Sequence, residues 1–125
     1  MDPIESRRAI RRNLVLKGTF KIRDDLKYKL HIYREPVDLS LSDVAMLGCG
    51  FITGYYLPKG IVLSVKLKDF PVISADAQGA KDMDFTAKVM SCKNAPGRTN
   101  KIGIEFVDIR KEYLDLIKKF IESGA

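Results

Sequence analysis

The sequence predicts a mainly β fold, a small six-stranded antiparallel β-barrel followed by a C-terminal α-helix. Three observations predict it. Apolar residues recur at every second position in several short segments. Gly, Pro, Asp and Asn punctuate those segments. A helical period appears only after Asp108, so the alternating strand–helix pattern of a parallel sheet is missing. Closure into a barrel also removes exposed sheet edges.

The first strand is expected over Leu14 to Ile22, where Leu14, Leu16, Phe20 and Ile22 alternate with Lys17, Thr19 and Lys21. Arg23, Asp24 and Asp25 read as a turn, and Tyr28, Leu30 and Ile32 against Lys29 and His31 read as the second arm of a hairpin. Glu35 and Pro36 break the pattern, and Asp38 and Ser40 read as a loop. Ala45 to Phe51, apolar and rich in small residues, is expected to enter the core as a strand. Gly50, Gly54, Pro58 and Gly60 mark turns before Ile61, Leu63, Val65 and Leu67, which alternate with Val62, Ser64, Lys66 and Lys68. Phe85, Ala87 and Val89 form a further strand, joined through Asn94 to Asn100 to Ile102, Ile104 and Phe106. In the last segment Tyr113, Leu114, Ile117, Phe120 and Ile121 fall on one helical face, with Asp108 as candidate N-cap and Gly124 as stop.

A chain of 125 residues with 46% hydrophobic content fits one domain. Residues 1–12 are expected to form a flexible arginine-rich segment, and residues 13–125 the barrel with its helix. The net charge of +6 favours anionic partners, and Arg7, Arg8, Arg11 and Arg12 concentrate part of it at one place. Cys49 and Cys92 lie far apart without Cys-x-x-Cys spacing, so each is expected to be a buried structural thiol rather than a zinc or redox site. His31, the sole histidine, has no nucleophile or ligand spacing around it. No catalytic constellation, metal site or cofactor is expected. No apolar run approaches the roughly 18 to 20 residues of a membrane span, and Met1 to Arg12 lacks a signal-like apolar stretch. The expected location is the cytoplasm.

Arginine and aspartate are complementary tools for a guanine nucleotide. The base presents acceptors at O6 and N7 that match an arginine fork, and donors at N1 and N2 that match a carboxylate. Arginine also grips phosphate bidentately and stacks on a base. Arg7-Arg8-x-x-x-Arg12 before the first strand, followed by Asp38-Leu39-Ser40, resembles the PilZ family, in which RxxxR and (D/N)xSxxG jointly bind cyclic di-GMP. Ile102-Gly103-Ile104-Glu105-Phe106-Val107-Asp108 with a helix after it is similar to the end of that domain. The resemblance implies a split-barrel fold, with Arg8 and Arg12 as the arginine pair, Arg7 as an accessory contact, and Asp38 and Ser40 facing guanine. In that alignment Asp43 stands where the pattern has glycine. Its negative charge is expected to weaken binding unless it points away or pairs with an arginine, so Asp43→Gly is expected to tighten it.

The function implied is that of a cyclic di-GMP receptor that changes shape or contacts on binding and acts through an unknown protein partner on motility, attachment or exopolysaccharide. It is not expected to be an enzyme. One alternative is a PilZ-like scaffold that has lost its ligand. The other is a small nucleic-acid-binding barrel, disfavoured because there is no Trp and few aromatics fall on polar faces.

Overall fold

The computed structural model describes residues 10–23, 35–73 and 79–123. The expected strand over 28–32, His31, Arg7, Arg8 and Gly124 lie outside the described residues. Six strands are found among those described: β1 (Arg12–Ile22), β2 (Val37–Val44), β3 (Gly48–Thr53), β4 (Val62–Val72), β5 (Gly79–Ala95) and β6 (Thr99–Asp108). A helix, α1 (Lys111–Ser123), follows. The strands close into a barrel in the order β1-β2-β3-β6-β5-β4, all pairs antiparallel, with β4 returning to β1.

Alternation decides what points inward. Phe20 and Ile22 of β1, Leu63, Val65 and Leu67 of β4, and Phe85, Ala87 and Val89 of β5 are all buried, while Lys21, Lys66 and Lys88 between them are exposed. The rings of Phe20 and Phe51 meet across the interior with centroids 5.6 Å apart. On α1, Tyr113, Ile117 and Phe120 are buried, and Phe120 packs edge-on against Phe70 of β4 at 5.6 Å. The helix thus covers the barrel with the face its sequence period marks.

Five expectations need correction. Gly50, read as a turn residue, lies inside β3, paired with Asp43 on one side and Gly103 on the other. Asp38 and Ser40 are strand residues, not a loop: Val37, Leu39 and Leu41 turn inward and are buried, which places Asp38 and Ser40 on the outer face of β2. The segment expected to run from Ala45 to Phe51 begins as a strand only at Gly48, because Ala45 N–H donates to the Gly48 carbonyl at 2.8 Å and closes a turn there. Asp108 ends β6 rather than capping α1, and the Arg110 carbonyl accepts the first helical bond from Leu114 N–H at 3.2 Å. Cys92 is only half-buried, whereas Cys49 is fully buried as expected. β5 is also longer than its apolar alternation, because its first part pairs with β4 and its last part with β6.

Close approach of backbones explains one glycine. A Cβ built at Gly48 would lie 1.9 Å from the Ile104 carbonyl oxygen, a backbone atom that cannot give way without parting β3 from β6. Gly48→Ala is therefore expected to destabilise the protein by about 1 to 3 kcal/mol, the range of overpacked cores. Urea unfolding monitored by circular dichroism tests this, and a loss under about 0.5 kcal/mol, typical of a neutral surface change, would contradict it.

Candidate ligand site at the β2–β3 turn

The first residues of β1 and the last of β2 are neighbours. Arg12 pairs with Val44 and Asn13 with Asp43, so the chain enters the barrel at Arg11 and Arg12 beside the β2–β3 turn. Asp43 is the centre of a charged cluster there. Arg11 Nη1 lies 2.8 Å from its Oδ1, Lys101 Nζ lies 2.5 Å from its Oδ2, and the Ser42 hydroxyl donates to Oδ2 at 2.9 Å. Lys101 also donates to the Ser42 hydroxyl. The Asp43 side chain is 14% exposed, against 55% for Arg11 and 37% for Lys101. Burial pushes the Asp43 carboxyl upward, but hydrogen bonds from Lys101, Ser42 and Arg11 outweigh it and hold the group below its ordinary value. The repulsion expected of Asp43 toward an anionic ligand is thus met by two cations.

Arg12 is engaged differently. Its guanidinium lies 4.0 Å from the centroid of the Phe120 ring and donates to the Phe120 carbonyl and, at 2.7 Å, to the Ser123 hydroxyl. A cation at a helix C-terminus meets the negative end of the helix dipole, and α1 carries no basic residue in its own last turn. Arg12 supplies that charge from the other end of the chain.

Asp38 and Ser40 are not brought to these arginines. Asp38 pairs with Thr19 and Ser40 with Lys17, farther along β1, which puts Asp38 on the order of 20 Å from Arg12 at the usual strand rise. Sequence reasoning placed Arg11 in the basic cluster without a site role, missed Ser42 and Lys101, and treated Asp43 as weakening binding unless it points away or pairs with an arginine. A signal for the turn was present: Asp43-Val44-Ala45-Met46-Leu47-Gly48 has the (D/N)xSxxG spacing, with Ala45 in the serine position. Its glycine is the one that the β3–β6 approach requires.

Elsewhere, a cavity of about 510 Å³ opens beside β1, β4 and β5, lined among others by Lys21, Lys66, Asp84, Asp108 and Arg110. Its cations and carboxylates are mixed, and it contains neither Arg12 nor Asp43, so the cluster at the turn is the better candidate for binding an anionic nucleotide. Cys49, close by in β3, is held protonated because burial pushes its thiol up to about 12. No group of metal-ligating side chains occurs among the described residues, and none of their helices is long and apolar enough to cross a membrane.

A family model described as PilZ domain matches residues 5–123. No curated protein matches the sequence. Among solved structures, the Bacillus subtilis inhibitor of motility (MotI/DgrA) is similar with a TM-score of 0.70 at 13% identity, covering 92% of this chain and 49% of that one. This chain spans about half the length of that neighbour, and the likeness is one of fold.

The ion pairs at Asp43 carry a pH signature. A folded pKa below the unfolded one means that their contribution to stability is present above the unfolded carboxyl value, about 3.9, and is lost as pH falls through the lower folded value. The stability advantage of the wild type over Asp43→Asn should be constant above about pH 5 and shrink on acidification through the carboxylate range. Urea titrations of both proteins across that range measure it, and an advantage that grows toward acid would contradict the assignment.

Proposed function

The chain belongs to the PilZ domain family, and from that premise we propose that it is a cyclic di-GMP receptor rather than an enzyme. The ligand would be gripped between the N-terminal arginines and the β2–β3 turn. The observation that carries this reading is the Arg11–Asp43 ion pair, which joins residues far apart in sequence and brings the arginine segment against the turn. Arg7, Arg8, Arg11 and Arg12 supply forks for phosphate and for guanine O6 and N7, and Asp43 supplies an acceptor for the donors at N1 and N2. On this reading Asp43 serves the ligand, and Asp38 and Ser40 are outward strand positions. No cofactor is required; binding alters the contacts of the arginine segment and so what the domain presents to a protein partner in the cytoplasm. Control of motility, attachment or exopolysaccharide is the process this receptor class suggests.

A second reading, a PilZ scaffold acting through protein contacts alone, is favoured by Ala45, which lacks the hydroxyl of the family's serine. Nucleic acid is the weaker alternative, since Tyr56 is the only aromatic among the exposed large hydrophobic residues described, leaving little for base stacking.

Calorimetric titration with cyclic di-GMP, with GTP and cyclic di-AMP as comparisons, distinguishes these readings. Selective saturable binding is expected, with Arg8→Ala and Arg12→Ala each weakening it at least about tenfold, the scale of one charge-assisted contact. A flat titration on folded wild-type protein would leave the scaffold reading standing and remove the receptor one.

A further inference from the structure

Lys101 belongs to β6, where it pairs with Ile52 of β3, yet its ammonium reaches Asp43 on β2. The side chain therefore crosses the whole width of β3. Gly50 is what allows the crossing, because it is the β3 residue opposite Asp43 and leaves bare backbone in the path. A Cβ at Gly50 would stand 2.9 Å from each of Asp43 Oδ2, Lys101 Cε and Lys101 Nζ. The ion pair and the missing side chain beneath it describe one strap over three strands.

The strap divides the two oxygens of Asp43. Oδ2 is taken by Lys101 and Ser42, both anchored in the barrel. Oδ1 is taken by Arg11, which precedes β1 and is more than half exposed. A carboxylate rotates broadly about its last torsion, so without an anchor on one oxygen it presents no fixed acceptor direction. With Oδ2 tied down, Oδ1 is the oxygen offered to whatever exchanges with Arg11. We propose that Lys101 is a positioning residue for guanine recognition: by anchoring Asp43 Oδ2 across Gly50, it aims the carboxylate at the N1 and N2 donors of the base and so sets selectivity for guanine. This rests on the receptor reading above and goes beyond it by assigning the selectivity to a residue outside both arginine and turn motifs. Lys101 touches no ligand in this scheme; it acts through Asp43.

The test compares cyclic di-GMP with cyclic di-inosine monophosphate, which lacks the N2 amino group, on wild type, Lys101→Met, Lys101→Arg and Gly50→Ala. Lys101→Met keeps the apolar stem over Gly50 and removes the cross-strand cation, leaving Oδ2 only the hydroxyl of the adjacent Ser42; Lys101→Arg keeps a cation that can reach the same oxygen. In the wild type, cyclic di-GMP should bind at least about tenfold more tightly than the inosine analogue, the worth of a hydrogen bond to a charged acceptor. Lys101→Met should reduce that ratio to within about threefold of unity, Gly50→Ala should reduce it in the same direction, and Lys101→Arg should restore most of it. A purely structural or electrostatic role would weaken both ligands equally, so an unchanged ratio in Lys101→Met overturns the proposal while leaving the receptor reading intact. Wild-type protein that binds neither ligand overturns both. Carbon-13 NMR of the Asp43 carboxyl in ligand-free Lys101→Met gives a second readout: its titration midpoint should move up from the wild-type position, and an unmoved midpoint also counts against the strap.

Discussion

Ring closure through the β1–β4 ladder is the constraint on which the rest depends. In an open sheet β1 would have an unpaired edge, and the register of its outer face would be weakly determined. With β2 on one side and β4 on the other, a one-residue slip of β1 would turn Phe20 and Ile22 out of the core. The same register sets Arg12 opposite Val44 and Asn13 opposite Asp43. The position of Arg11 and Arg12 relative to the turn is therefore a consequence of core packing. Gly48 contributes at the far side of that turn, where the close approach of β3 and β6 holds the strand that carries Gly50 under Lys101.

At rest the site is electrostatically occupied. Arg11 sits on Asp43, Lys101 sits on the same carboxylate, and Arg12 is spent on the end of α1. On the proposed receptor reading, a doubly anionic ligand would not meet bare positive charge and would have to exchange with contacts the protein already makes. Exposed ion pairs contribute little stability, so the Arg11 contact costs little to give up, whereas the more sheltered Lys101 contact is better placed to persist.

Much of the fold was legible because the strands announce themselves through a period of two. Val65 and Leu67, or Phe85 and Ala87, alternate with charged or hydroxyl residues, and their burial follows directly. Val37, Leu39 and Leu41 alternate just as well, but the intervening Asp38 and Ser40 are also turn formers, and local turn chemistry obscured the strand. β5 exceeds its pattern because ladder bonds to two different partners extend it where its own side chains give no signal. The arginine segment and the six-residue turn spacing were both visible in one dimension. The Lys101–Asp43 pair was not, since it depends on β3 lying between β2 and β6, and strand order is a property of three-dimensional pairing.

Arg12 against Phe120 and Ser123 also has an architectural meaning. The point where the chain enters the barrel and the point where its last helix ends are within one side chain of each other. Polypeptide attached before and after such a unit would leave from a common doorway, so the domain suits insertion between two neighbouring parts of a larger assembly without stretching either.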